Sequence, residues 1–585
     1  MYFLGLNITG PNTSACLLNE KGIIAFAEEE RFTRVKLAKD QFPINSIKYV
    51  LSEAGIELSE VAEIAIGWDY SKYPEEMQTF YRERMWHQDK DEFSKIIEQL
   101  NLLQKSPKYL LPVIKVILWR SGLGGAIPPI NFYSHHKSHA ASAAFLSPTK
   151  KTLNFVIDGS GEELATSVWI QDKGQLELVN STKLPNSIGY FYAAMTEFLG
   201  FSVFTGEGKV MGMAPYGKPN LEYRKKLSQF LTFSNDNYVT DSSYVYFGTR
   251  STSLRHTDKL GKLLDRNPRL PESPFEQDDY DLAFEVQRLL EVTVSKLFQE
   301  SFEQYGIKDF TISGGVAMNC KMNGELSRLP FCDSLFVPPA SNDAGVALGS
   351  ALINAQERGL DARKIGSTFT PYLGPGFNRS QILSALNDAK LTNFKELNDE
   401  ELLQLASEQL YAGKIIGWFQ GRMEVGSRAL GNRSILANPK MAEMKDKINK
   451  EVKRREAFRP FAPSILSEDA HNWVDFSNQS NPELTHKWML QAAFVHSGAE
   501  EKIPAVTHVD LSVRPQLVSS DDNFLFWSLL KKFGNLSGVP ILLNTSLNVR
   551  GEPIIRTPEE AIRCFFSHGL DSIFIGSFVI SKNHV

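Results

Sequence analysis

Cysteine is scarce and scattered. Cys16, Cys320, Cys332 and Cys564 are the four in 585 residues, and none stands in a CxxC spacing. This excludes a disulfide framework and a zinc ribbon and fits a reduced compartment, so a cytoplasmic protein is expected. Long hydrophobic runs are lacking as well. The apolar segment YLLPVIKVILW is too short to span a bilayer and carries Lys115, and the opening MYFLGLNITG has no basic stretch leading into an apolar one. An unexported chain with no membrane partner is the expectation. Charge of either sign is nearly balanced: 63 Lys plus Arg against 68 Asp plus Glu gives a net charge of -5. That removes any global electrostatic reason for a nucleic-acid partner and leaves anion sites to local clustering.

What is present points to several domains, because 585 residues, 42 % of them hydrophobic, exceed what one core supports. The opening YFLGLNITGPNTSACLLNEKGIIAFAEEERF reads as two strands joined by a polar turn, with a third run after Asn19-Glu20-Lys21-Gly22. TLNFVIDGSGEELATSVWIQDKGQLELV repeats the pattern: an apolar strand ends in Asp158, a glycine turn follows, and a return strand leads to Asp172-Lys173-Gly174. A strand, a Gly/Ser/Thr turn and a second strand at the start of each half of a domain is how the actin-like ATPase fold holds nucleotide phosphates. Turn amides and hydroxyls donate to the phosphate oxygens while an acid handles the cation. DFTISGGVAMNCKMNGEL adds a short strand and a helix whose N-terminal amides suit a nucleotide, making Gly314, Gly315 and Asn319 candidates. Each such turn is by itself simply a turn; three in this order favour the nucleotide reading. DARKIGSTFTPYLGPGFNRS, rich in Gly, Pro and Ser, reads as a linker, giving domains over 1–360 and 381–585 joined through 361–380. Ser71 to Pro129, mostly helical in pattern, and Ser234 to Asp281, polar and turn-rich, read as insertions.

NFYSHHKSHAASAAF places three histidines within five positions. His135 and His139 are four apart, so on a helix their imidazoles share one face and can share one ion. A transition metal needs further donors, and Asp158 and Asp343, the latter in PPASNDAGVALG, are the candidates. Imidazoles with carboxylates and open positions suit Fe(II), Mn(II) or Zn(II). Each residue also has a plain reading, the aspartates as helix caps or turn residues and the histidines as core or surface groups.

The second domain holds GWFQGRMEVGSRALGNRSILANPKMAEMKDKINKEVKRREAFRPFAPSIL, in which Arg422, Arg428, Arg433, Lys453, Arg455 and Arg459 fall among glycines, prolines and aromatics. A solvated helix face explains the charge but not that punctuation. Arginine in a fixed loop binds phosphate bidentately. Arg514 and the run NTSLNVRGEP, with Asn544 and Arg550, extend the set toward a pocket for a small, highly charged phosphate compound.

Together HHKSHAASAAF, GEGKVMGMAPYG, SGGVAMNCKMN, PASNDAGVALG, SRALGNRSILANP, REAFRPFAP and NTSLNVRGEPI resemble the O-carbamoyltransferases of the NodU/CmcH type. The resemblance runs from about residue 4 to residue 580. It implies an N-terminal actin-like (Kae1-like) domain and a C-terminal YrdC-like α/β domain. It also implies that carbamoyl phosphate and ATP, with Mg2+, form carbamoyl adenylate and pyrophosphate in the second domain. A hydroxyl of a small-molecule acceptor, a natural product or sugar, then takes the carbamoyl group in the first. By the resemblance His135, His139, Asp158 and Asp343 are iron ligands, Lys209 joins the nucleotide-binding residues, and Arg428 and Arg459 act in the first step. A homodimer is allowed for.

The chain departs from the family pattern where a histidine is usual in the first hairpin turn: it reads Gly10-Pro11-Asn12-Thr13. Asn12 and the carboxylates of AFAEEERF, Glu28 and Glu30 among them, are the nearest replacements for handling the acceptor hydroxyl. Ser427 stands where proline is frequent, and HVDLSVRPQ keeps only His508, Asp510 and Arg514 of its motif. The competing readings are an actin-like small-molecule kinase or ATPase, which would yield ADP, a tRNA modifier, disfavoured by the absence of a basic face, and a nucleotide-sensing interaction protein without turnover.

Overall fold

The computed structural model describes residues 1–72, 105–234, 236–247, 254–477, 479 and 481–582. Of the two expected insertions, 73–104, 235 and 248–253 therefore lie outside the described residues. The first ends in a helix over Pro107–Arg120. The chain forms two compact units, Met1–Ala25 with Asp40–Phe369, and Phe26–Lys39 with Thr370–Val585. The sequence placed Phe26–Lys39 in the first domain, so the structure moves this segment to the second. The physical reason is a set of long-range bonds: Glu28 accepts from the Gly426 amide at 2.9 Å, and Arg34 donates to the carbonyls of Pro553 and Ile554 at 2.8 Å each.

In the first unit β1 (Tyr2–Asn7), β2 (Ser14–Asn19), β3 (Gly22–Glu28), β4 (Val61–Ile66) and β5 (Ile130–Phe132) form a sheet in the order β3-β2-β1-β4-β5. A second sheet is built from β6 (Lys151–Gly161), β7 (Leu164–Asp172), β8 (Gln175–Lys183), β9 (Asp309–Ser313) and β10 (Ser334–Phe336), in the order β8-β7-β6-β9-β10. The two orders are the same. β1 pairs antiparallel with β2 and parallel with β4, as β6 does with β7 and β9. The repeated strand–turn–strand pattern thus extends to whole sheets. β1 and β6 are buried along most of their length, so they read as continuous apolar runs and not as alternating ones.

Three helices position the site: α1 (His135–Ala144), α2 (Ile188–Phe198) and α3 (Ala344–Glu357). α1 and α3 pack against each other, and both are made largely of Gly, Ala and Ser. The composition is a steric requirement. A Cβ on Gly349 would overlap the Ser138 carbonyl oxygen across the helix pair, and one on Gly5 of β1 would overlap the Ala347 carbonyl.

The second unit is a mixed α/β domain with an eight-stranded sheet. Its strands are β11 (Phe394–Glu396), β12 (Ile416–Phe419), β13 (Arg433–Ala437), β14 (Ala462–Leu466), β15 (Gln516–Val518), β16 (Ile541–Ser546), β17 (Ser572–Ile575) and β18 (Phe578–Ser581). They run in the order β11-β18-β17-β12-β13-β16-β14-β15. Successive residues serve opposite faces. Trp418, Leu436, Leu542 and Phe574 pack with α4 (Asp399–Tyr411) and α5 (Phe524–Ser537), whereas Ile435, Leu543, Ile573 and Ile575 belong to the core on the other side.

Gly349→Ala, a change that raises helix propensity, is expected to destabilise the first unit by about 1–3 kcal/mol through overpacking against Ser138. Urea unfolding measures this; an unchanged or higher midpoint would show that the helices can separate at no cost.

Candidate functional site

The imidazoles of His135 and His139 project from the first turns of α1, which Ser134 caps by accepting from the Lys137 amide. Asp158 lies near the end of β6, and Asp343 immediately precedes α3. One ligand atom from each of the four lies within 4.8 Å of the others. His135 Nε2 is 3.3 Å from Asp158 Oδ2 and 3.9 Å from Asp343 Oδ1; His139 Nε2 is 3.3 and 3.6 Å from the same two oxygens. Asp343 makes no capping bond with its side chain, so its reading as a helix cap fails.

The donors are oriented by what surrounds them. Asp158 Oδ1 accepts the Gly159 and Gly315 amides at 2.7 and 3.3 Å, which leaves Oδ2 to face both imidazoles. His135 Nδ1 is 3.2 Å from the Gly67 carbonyl, and its backbone amide donates to Glu162 Oε1 at 3.0 Å. Glu162 is buried and also takes the Asp69 amide. Although His139 Nε2 is close to Asp158, the direction of its ring nitrogen misses the oxygen, and neither ring nitrogen has a hydrogen-bond partner among the described residues. A cation at the centre would satisfy what hydrogen bonds do not: with metal–ligand bonds of roughly 2.1 Å, neighbouring donors stand about 3–4 Å apart. The residues fit such an ion.

Charge reinforces the arrangement. Burial alone would lower the pKa of His135, but the hydrogen bond to Asp158 and the carboxylates of Asp343 and Glu162 outweigh it and push the value up to about 9. Asp158 is held well below the usual carboxylate range, against its burial, by the two imidazoles. The first hairpin turn reaches the same place: a Cβ on Gly10 would stand 3.5 Å from Asp343 Oδ2. Asn12, in the left-handed region at φ 58°, is two residues on.

Other predicted residues of the first unit are structurally committed. The Gly314 amide donates to the Ser341 carbonyl and the Gly315 amide to Asp158, so neither is left for a nucleotide. Asn319 caps the following helix and exchanges amide hydrogen bonds with Gln287 at 2.9 and 3.0 Å. Lys209 Nζ lies 5.0 Å from the Phe201 ring. Glu28 and Glu30 belong to the second unit: Glu28 pairs with Arg31 at 3.3 Å, and Glu30 accepts the Leu37 amide at 2.6 Å. Their contacts give no support to the role of acceptor base read from the sequence.

In the second unit the predicted cations divide into two groups. Arg422 donates to the carbonyls of Leu373 and Gly374, and the fully buried Arg433 to those of Gln420, Gly421, Asn432 and Pro375 while lying 3.7 Å from the Phe419 ring. These arginines hold loops. Lys453, Arg455 and Arg459 instead lie where burial and neighbouring cations, Arg514 and Arg550 among them, lower their proton affinity, although Arg455 also donates to Asn449 and Arg459 pairs with Glu456. Burial and then the neighbouring charges of Arg459 and Arg514 hold Arg455 well below the usual guanidinium range, and burial with Arg455 does the same to Lys453. Lys453 is also bonded to Ser546 and Asn548 of the NTSLNVRGEP run. Asn544 donates to Ser464, Gln516 and the Ala429 carbonyl. Arg428 is half-buried in the loop that Glu424 ties down by accepting the Leu430, Asn432 and Arg433 amides at 2.8, 2.7 and 3.0 Å. Like-charged groups held this close are the arrangement that a multiply charged anion would relieve.

Glu162 and Glu424 were not found from the sequence. Their partners are backbone amides of residues brought close only by the fold, and an acid in a glycine-rich turn carries no mark of that.

Residues 3–352 match the carbamoyltransferase N-terminus family and residues 407–582 the carbamoyltransferase C-terminus family. Nodulation protein NolNO of Sinorhizobium fredii is 34% identical over 587 residues, covering 98% of this chain and 80% of that protein. An uncharacterized protein of Synechocystis is 34% identical over 608 residues, covering 99% and 97%. The 3'-hydroxymethylcephem-O-carbamoyltransferase of Amycolatopsis lactamdurans is 34% identical over 272 residues, 45% of this chain and 47% of that enzyme. Both halves of the chain, with the four converging ligands in one and the cationic loops in the other, belong to the carbamoyltransferase family.

Proposed function

We propose that this protein is an O-carbamoyltransferase that activates carbamoyl phosphate with ATP and delivers the carbamoyl group to a hydroxyl of a small molecule. The observation that carries the reading is the match of both halves to carbamoyltransferase families, joined by a relative named for carbamoylating a hydroxymethyl group. In this reading the duplicated sheets are the two lobes of an actin-like (Kae1-like) domain, and the second unit is the YrdC-like domain.

Atom balance defines the first step. Carbamoyl adenylate contains only the α-phosphate of ATP, so carbamoyl phosphate first gives its phosphoryl group to water, which leaves as inorganic phosphate. An oxygen of the carbamate so formed then bonds to the α-phosphorus as the bond to pyrophosphate breaks. Two anions that repel must meet, and Arg428, Arg459, Arg455, Arg514 and Arg550 supply the positive field that lets them. Transfer then requires the acceptor oxygen to form a bond to the carbamoyl carbon as the bond to the adenylate oxygen breaks, releasing AMP and a proton. His135, His139, Asp158 and Asp343 would hold a divalent cation, iron(II) by donor type, which when bound supplies Lewis-acid charge against the adenylate. The Gly159 and Gly315 amides keep Asp158 aimed and Glu162 fixes the start of α1; in this reading Asn12 of the first hairpin turn hydrogen-bonds the acceptor hydroxyl.

Elemental analysis of the purified protein is expected to find about one metal ion per chain, lost in the His135→Ala, His139→Ala double variant. Unchanged stoichiometry in the variant would remove the assignment.

The half-reactions are expected to separate by unit. Arg459→Ala should reduce carbamoyl-phosphate-dependent ATP–pyrophosphate exchange by about 100-fold or more, as loss of a charge-assisted phosphate contact at a reacting group implies. Asp343→Asn should keep that exchange while losing carbamoyl transfer. Exchange lost equally in both variants would contradict the division, and ADP as the product would favour the kinase reading.

A further inference from the structure

In the first unit Arg255 is only 2 % exposed, and its Nε and Nη1 have no hydrogen-bond partner among the described residues. Its backbone is fixed, with the amide donating to Glu197 Oε2 at 2.7 Å and the carbonyl accepting from Tyr246 at 2.8 Å. The guanidinium carbon lies 4.1 Å from the Tyr190 ring centroid and 5.8 Å from that of Phe204. Neither nearby carboxylate hydrogen-bonds the guanidinium among the described residues, although the Arg255 charge is felt by Glu207. Glu197 Oε2 also holds the amide and Nδ1 of His256 at 2.9 and 2.6 Å, and Glu207 Oε1 takes the Phe204 amide at 2.8 Å. Burying a guanidinium with N–H groups unmet is unfavourable, and ring faces offset only part of that. An anion with two oxygens would complete it.

The surroundings identify which anion. Tyr190 touches both Arg255 and the turn that carries Asp158: its hydroxyl is 2.8 Å from Ser160 Oγ, and its ring packs on Gly159, where a Cβ would lie 2.9 Å from the ring edge. The Gly159 amide in turn holds Asp158. Arg255 is therefore one aromatic ring removed from the place where the acceptor hydroxyl reacts. Phe204, whose ring is the other one near the guanidinium, is 38 % exposed.

We infer that Arg255 determines acceptor specificity by receiving an anionic oxygen group, a carboxylate or a phosphate, carried by the hydroxyl compound that is carbamoylated at the His135–His139–Asp158–Asp343 cluster. The inference rests on the transfer reading above. It makes the preferred acceptor a hydroxy acid or a phosphorylated alcohol, with the neutral alcohol of the same skeleton a poor substitute.

Glycerate, glycerol 3-phosphate and glycerol share one skeleton and differ in the anion. Calorimetric titration into the full-length protein is expected to show at least one of the two anions binding about tenfold or more tighter than glycerol, the size of a charge-assisted contact. In Arg255→Met that ratio should fall to near one. Arg255→Lys, which keeps the charge without the fork, should fall between and guards against simple misfolding. Preference for glycerate alone identifies a carboxylate, and preference for glycerol 3-phosphate alone a phosphate. The second unit's cations also attract anions, so a preference that survives Arg255→Met, or none in the unaltered protein, overturns the inference. Carbamoyl mass gain on the same three compounds is read separately. Anion preference that depends on Arg255 without any mass gain keeps the anion site and removes the transfer reading. Equal mass gain on all three, unaltered in both variants, does the reverse.

Discussion

The close approach of α1 and α3 at Gly349 and Ser138 is the constraint on which the site depends. Two helices with ordinary side chains at that crossing would be held farther apart by their own volume. Here the absence of a Cβ lets one backbone rest on the other, and the starts of the two helices come together as a result. His135 and His139 then face Asp343 at 3.9 and 3.6 Å. The close approach of β1 to α3 at Gly5 uses the same device, so the cluster is framed by backbone contacts more than by interlocking side chains.

Electrostatics gives the two units opposite requirements. The first gathers two carboxylates and two imidazoles at one point, where a positive ion would complete the set. The second gathers cations whose burial and mutual charge lower the proton affinity of Lys453, Arg455 and Arg459, where anions would complete the set. The reaction proposed above, which first joins two phosphate compounds and then moves an acyl group off the product, would use both kinds of field, in that order. Neither arrangement is at its most stable alone, which is the usual mark of a binding site as against a packing element.

Local features were readable from the sequence, and long-range ones were not. The two hairpins showed themselves through polar turns between apolar runs, and the histidine pair through its spacing of four. Arg422 and Arg433 looked like phosphate ligands because loop arginines among glycines often are. Whether such a guanidinium faces a ligand or a carbonyl depends on which loop folds back over it, and Gln420, Gly421 and Pro375 fold back over Arg433. Glu28 and Glu30 were assigned to the first hairpin by adjacency in the chain. What the sequence did not show is that the amide of Gly426, far along the chain, joins Arg31 in engaging Glu28.

The segment Phe26–Lys39 makes the second unit discontinuous in the chain. A boundary drawn between Phe369 and Thr370 divides the sequence cleanly but not the fold. A fragment beginning at Thr370 would leave the Gly426 amide and carbonyl without Glu28 and Arg31, and the carbonyls of Pro553 and Ile554 without Arg34. Ribosomal synthesis therefore lays down a strip of the second unit more than three hundred residues before the sheet that receives it, and that strip must wait, unpartnered, until the rest of the chain has emerged.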